Sequence, residues 1–177
     1  MDSQALRALQ APLKQRYRED AAAAVVTLRV GGELDAEAVA CRVDTGRAIA
    51  AAGLHPASGG DGAYLCSGDM LLEALVACAG VTLRAVATAL DLPVRGGTVR
   101  AEGDIDFRGT LGVAADAPVG FRAIRLSFDL DADLTDAQLT RLGELTERYC
   151  VVLQTIQAGP RVGLTLSRAP GGNSELE

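Results

Sequence analysis

The hydrophobic positions along the chain change period several times, and each change marks an element. The most informative run spans Asp69 to Leu90. Set out at about 100° per residue, Asp69, Glu73, Arg84 and Asp91 fall within roughly 60° of one another, and the rest of the circumference is apolar or small. A helix polar along one narrow stripe is an element that the remainder of the protein wraps. A second helix is signalled by Thr135 with Gln138 three residues on, the sequence of a capping box. Leu139, Leu142 and Leu145 then give its apolar face, with Arg141, Glu144 and Arg148 opposite. If that helix runs on past Tyr149, Cys150 falls beside Leu139, Leu142 and Leu153 on the buried side; in the conservative reading Cys150 follows the helix end.

Strand patterns surround these helices. Val25 to Val30 reads as a strand with Gly31-Gly32 as its turn, and Val39 to Val43 as a second strand. After Pro93 come Thr98 to Phe107 and Phe121 to Leu130, connected through Val113 to Gly120. Alternation of Ile124, Leu126, Phe128 and Leu130 predicts one buried sheet face. A last strand is expected from Val162 to Leu166. Ser3 to Arg18 has helical composition interrupted at Pro12. The glycine-rich stretch from Pro56 to Gly62 lacks the spacing of a phosphate cradle and reads as a plain loop.

Composition narrows the class. The chain has 177 residues, enough for one domain with its own core. Hydrophobic residues make up 49%, yet there are only three Phe, three Tyr and no Trp, so the core must be built from Ala, Val and Leu. A formal charge of −6 with singly scattered basic residues argues against a nucleic-acid partner. The longest apolar stretch, Met70 to Leu83, is interrupted by Glu73 and falls short of the roughly 20 residues of a membrane span. No membrane association is expected. Early charges at the N-terminus exclude an ordinary secretory signal, which makes the cytoplasm the expected location.

Four cysteines, at positions 41, 66, 78 and 150, form no CxxC pair, and His55 is the only histidine. That set does not suit structural zinc, and no metal is expected. Hydrolytic triads fail as well, for want of a GxSxG elbow and of any imidazole but His55. A reducing compartment disfavours a static disulfide but permits a transient catalytic one.

Cys78 lies opposite the polar stripe of its helix, flanked by Leu71, Ala74 and Ala85. An inward cysteine serves as a small hydrophobe unless something activates it. Burial raises a thiol pKa, so reactivity requires a cation or hydrogen bonds in the same pocket; Arg29, Arg42, Arg47 and Arg84 are the candidate cations. An activated thiolate attacks a peroxide oxygen to give a sulfenic acid, and a second thiol condenses with it to a disulfide. Asp69 to Cys78 is about 13.5 Å of helix, so Cys66 lies beyond the ~7 Å Cα separation of a bridge. Cys41 sits in a strand of undetermined facing. Cys150 is the natural partner.

The stretch CSGDMLLEALVACAGVTLRAVA resembles the central helix of the OsmC/Ohr family (osmotically inducible protein C and organic hydroperoxide resistance protein). That helix usually begins Ser-Pro-x-Glu-Leu-Leu-Leu-x-Ala-Leu-x-Ala-Cys. LTERYCVVLQTI resembles the family's second cysteine helix, and the likeness extends from Ala38 to Leu166. It implies an α+β, OsmC-like fold, with antiparallel sheets packed around two long core helices in an intertwined homodimer. Residues 23–168 would form that domain, after a helical extension at 1–22 and before a disordered tail at 169–177. The implied activity is a cofactor-free, thiol-dependent reduction of organic hydroperoxides, recycled by a small dithiol or lipoyl-type reductant. Cys78 would be the peroxidatic thiol and Cys150 the resolving one, with Asp69 in the place of the motif glutamate. Asp69 also suits a plain first-turn acid on the helix dipole.

The chain departs from the pattern at four places. Ser67 replaces the motif proline, Asp69 the glutamate and Cys150-Val151 the usual Cys-Pro, while Glu33 follows Gly31-Gly32 where the organic-hydroperoxide branch carries arginine. That last departure keeps a second reading open: a non-catalytic dimer binding an apolar or thiol-carrying ligand.

Overall fold

The computed structural model describes residues 2–5, 8, 11, 19, 31–34, 40–44, 49–112 and 114–168. The first sheet is ordered β1 (Gly31–Leu34), β2 (Ala40–Asp44), β3 (Ile49–Gly53) and β4 (Leu65–Cys66). Its pairings are antiparallel except the last, β3 with β4, which is parallel. Gly31 and Gly32 pair with Asp44 and Val43. They lie inside a strand and do not form the turn expected of them. A glycine pair can turn, but a ladder partner holds it extended. The expected strand at Val25–Val30, the break at Pro12 and the tail at 169–177 lie outside the described residues. Residues 3–5, 8, 11 and 19 are helical.

β4 runs directly into α1 (Ser67–Ala89), with Cys66 at the N-cap and Asp69 in the first turn. By length and composition α1 could cross a membrane. Within this chain one side of it is covered. Leu75, Ala79, Leu83 and Ala87 form a buried stripe at i, i+4 spacing, while Asp69, Glu73, Arg84 and Asp91 are exposed. The rest of the circumference is not wrapped as expected, since Leu71 is 41% and Val81 72% exposed.

The stripe rests on a long hairpin, β5 (Val94–Ile105) with β6 (Phe121–Ala132), paired antiparallel throughout. Ile124, Leu126, Phe128 and Leu130 turn inward as their alternation predicts. On the outer face Arg125 bridges Glu102 and Asp104, and Arg100 bridges Asp129. β5 ends before Phe107 because the Asp106 carboxylate accepts the Arg108 N–H and caps a single helical turn, α2 (Phe107–Thr110).

α3 (Asp136–Tyr149) begins at the expected capping box, with Thr135 and Gln138 bonded reciprocally. Leu142 and Leu145 are buried, but Leu139 in the first turn is 51% exposed, so the apolar face is covered only from Leu142 onward. The helix does not continue past Tyr149. Cys150 takes φ −74° and ψ 104°, and a new helix, α4 (Val151–Ala158), starts at the next residue and stops at left-handed Gly159.

The strand expected at Val162–Leu166 does not form. Val162, Leu164 and Leu166 are 85 to 90% exposed, and the segment has no regular structure. An alternating pattern makes a strand only where an edge is free to pair with it. The core has two centres, one around Leu83, Ala87, Val94 and Leu142, the other around Leu75, Ala79 and Cys150; Phe128 packs against both.

Candidate active site

The second core centre brings together two thiols from distant parts of the chain. Cys78 is half-buried on the flank of α1, and Cys150 is wholly buried at the junction of α3 and α4. Cys78 packs against the cluster of Leu75, Ala79 and Cys150, as do Val152 and Leu153 from the first turn of α4. Both cysteines are free thiols.

The junction decides their electrostatics. The first intrahelical bond of α4 is from the Gln154 N–H to the Cys150 carbonyl, so the N–H groups of Val151, Val152 and Leu153 have no partner within the helix. Cys150 itself forms no side-chain cap bond. The positive end of α4 is thus turned toward the thiols.

Burial by itself pushes the Cys78 thiol up. The Val152 N–H, the Cys150 thiol, the Thr82 hydroxyl and the Val151 N–H all favour its anion, and together they hold its pKa below the ordinary value. Cys150 moves the other way. Burial raises it, and so does its hydrogen bond to Cys78, which uses the Cys150 proton; the amides of Leu153 and Val152 offset only part of this. Side by side, one thiol is set to ionise and its neighbour to stay protonated.

Asp69 is not part of this cluster within one chain. It is exposed in the first turn of α1, about two and a half turns from Cys78. It lines a separate cleft of about 380 Å³ with His55, Cys66, Leu72, Phe107 and Phe121. His55 stacks on Phe107 at 5.1 Å, and its Nδ1 accepts the Ala57 N–H. Phe121 lies flat enough on Gly103 that a β-carbon there would overlap the ring. Of the candidate arginines, Arg84 donates to the Val94 carbonyl, and the side chains of Arg29, Arg42 and Arg47 lie outside the described residues. Among the described residues no group of three or more His, Cys, Asp or Glu could hold a metal.

Sequence reasoning missed Thr82 and the amides of α4. Thr82 was legible in principle, one helical turn beyond Cys78. The amides were not, because nothing between Tyr149 and Val152 signals a break.

A long central helix laid on a β-hairpin, with a cysteine on its flank and a second one at a helix junction, defines an α+β protein of a two-thiol architecture. The OsmC-like protein family model matches residues 60–165, and the chain belongs to that family. Solved structures agree on the fold. An OsmC-like protein from Mycoplasma pneumoniae superposes with a TM-score of 0.62 at 14% identity, covering 75% of this chain and 88% of that one. An organic hydroperoxide resistance protein OsmC from Legionella pneumophila gives 0.58 at 14%, over 75% and 90%. An organic hydroperoxide resistance protein from Elizabethkingia anophelis gives 0.52 at 15%, over 74% and 89%. No curated protein matches the chain.

Proposed function

We propose that this protein is a cysteine-based hydroperoxide reductase, with Cys78 as peroxidatic and Cys150 as resolving thiol. The observation that carries the reading is the placement of two free thiols in one apolar cluster, Cys78 against the group of Leu75, Ala79 and Cys150, with Cys78 displaced toward the anion and Cys150 toward the protonated form. The Cys78 thiolate attacks the terminal oxygen of a hydroperoxide. The O–O bond breaks, the alkoxide leaves and takes a proton from water, and Cys78 becomes a sulfenic acid. The Cys150 sulfur, giving up its proton, then attacks the Cys78 sulfur and expels the hydroxyl as water, leaving a disulfide. A small dithiol, lipoyl-type in chemistry, takes up the oxidising equivalents by thiol–disulfide exchange and restores both thiols. No step calls on a metal or flavin.

The apolar surroundings of the pair, Leu75, Ala101, Ile124, Leu126 and Ile156, favour organic hydroperoxides over hydrogen peroxide. The reducing cytoplasm is the compartment in which such a pair turns over.

The working unit in this reading is a homodimer, with neither nucleic acid nor membrane as partner. Support comes from apolar surface that one chain leaves bare: the α1 face with Leu71 and Val81, and the alternating segment Val162, Leu164 and Leu166. Soluble chains rarely leave such patches uncovered. A second subunit would also give Asp69 a route to a Cys78 that its own helix denies it.

Thiol titration before and after one equivalent of cumene hydroperoxide tests the function. Loss of two thiols per chain, with Cys78 and Cys150 recovered as one disulfide, is expected. Four unchanged thiols would overturn it in favour of the non-catalytic reading. One feature lends that second reading weight: an open cleft of about 380 Å³ between α1 and the hairpin, lined by Leu83, Val99, Phe128 and Leu130 with Arg84 and Arg95 at hand. Its lining suits an apolar ligand.

A further inference from the structure

Residues 162–166 have a strand's pattern but join neither sheet of their own chain. On an extended backbone Val162, Leu164 and Leu166 share one face, and all three are 85 to 90% exposed. Among the described residues no backbone hydrogen bond holds the segment. The converse holds along β5. In its two-stranded sheet β5 pairs only with β6, so its other edge is open. The groove of about 380 Å³ beside α1 is lined by six consecutive residues of β5, 94–99, together with Gly80 and Leu83 of α1 and Phe128 and Leu130 of β6. A cavity on the face of a strand meets alternate residues; six in a row means that the β5 backbone itself borders the groove. A β-carbon on Gly96 would stand in open space, so no side chain there keeps a second backbone away.

We propose that this groove is the seat of residues 162–166 from a second copy of the chain. The segment adds to β5 as a third strand, its backbone on the open edge and its face of Val162, Leu164 and Leu166 turned to α1 and Phe128. Symmetry selects the occupant. Each copy has one strand without an edge and one edge without a strand, so two copies satisfy each other twice in a closed pair. Length agrees, five residues against six. Charge agrees as well: Arg95 is held by Asp131 and Arg84 by the Val94 carbonyl, so the groove asks for no counter-ion, and residues 162–166 carry no charge. This seat deepens the homodimer proposed above and rests on it, but needs none of the thiol chemistry.

The test is peptide-resolved hydrogen–deuterium exchange on the full chain, with sedimentation velocity on the same samples and no peroxide. In the parent dimer the amides of residues 162–166 are expected to exchange about tenfold or more slowly than in Leu164→Asp. Leu164→Asp alters an exposed position of the single chain. It should lose protection at 162–166 and at 94–99 together and move the protein toward the monomer. Gly80→Leu, which fills the groove from α1, should do the same. Mixing the two variants, one isotope-labelled, should restore protection of 162–166 in the Gly80→Leu copy alone, because only that copy keeps an intact strand and only its partner keeps an open seat. A parent dimer with 162–166 unprotected would overturn the proposal. So would protection at 94–99 that Leu164→Asp leaves unmoved, the result expected of an apolar ligand in the groove, or protection of 162–166 that survives in a monomeric parent. Should Gly80→Leu fail to fold, Leu164→Asp alone decides. A parent that shows the exchange pattern while ignoring cumene hydroperoxide would sink the thiol chemistry and leave this inference standing.

Discussion

Cys150 closes one helix, opens the next, and packs against Cys78 from a third, so a single residue couples a backbone break to the chemistry of a distant thiol. The coupling has direction. The Cys150 proton is used to hold the Cys78 anion, which leaves Cys150 the harder of the two to ionise.

The order of reaction follows. Cys78→Ser is expected to abolish consumption of cumene hydroperoxide. Cys150→Ser should retain the first step and accumulate a sulfenic acid on Cys78, trappable with dimedone and read by mass spectrometry. Parent-rate turnover by the Cys78→Ser protein would reduce Cys78 to packing.

The pH profile separates the two thiols. Cys78 ionises below its ordinary value and Cys150 above its own. Labelling rates should therefore rise with pH first at Cys78 and only later at Cys150. Between the two midpoints, modification is confined to Cys78 within this pair. The reverse order in peptide-resolved labelling would contradict the arrangement of donors at the α4 N-terminus.

Assembly can be read by sedimentation velocity. The parent is expected at about twice the 18.3 kDa of one chain. Val81→Glu, on the bare face of α1, should shift the population toward the monomer by placing a charge in a desolvated contact. A parent protein that sediments as a monomer at micromolar concentration would remove the dimer from the proposal.

Stability should track the two core centres. Leu75 and Leu142 are 0% and 1% exposed, and truncating either to alanine is expected to cost about 2–5 kcal/mol in urea unfolding. Thr135→Ala removes the capping box of α3, worth about 0.5–2 kcal/mol. A Thr135→Ala loss as large as that of Leu75→Ala would mean the cap holds more than its own helix.

Local chemistry made much of this legible in the sequence. The alternation from Ile124 to Leu130 and the Thr135–Gln138 box are each set by neighbours a few residues away, so periodicity and capping suffice to find them. The covered side of the central helix was not found that way: it is Leu75, Ala79, Leu83 and Ala87, while Leu71, expected inside beside Cys78, is 41% exposed. The inward aim of Cys78 follows from the same helical period. What lay beyond local reach depended on partners distant in the chain. Gly31-Gly32 became strand because Val43 and Asp44 pair with it. Val162 to Leu166 has a strand's pattern but no strand, since a ladder needs a second edge as well as a pattern. The break at Cys150 has no local signal, as Val151 and Val152 weaken a helix only slightly. It places a buried thiol in the cluster that Cys78 packs against. The sequence by itself determined which residues share a face, because a side chain's direction is fixed by its own backbone. Only the tertiary structure decided which thiol is set to ionise, because that depends on which proton donors converge on it in space.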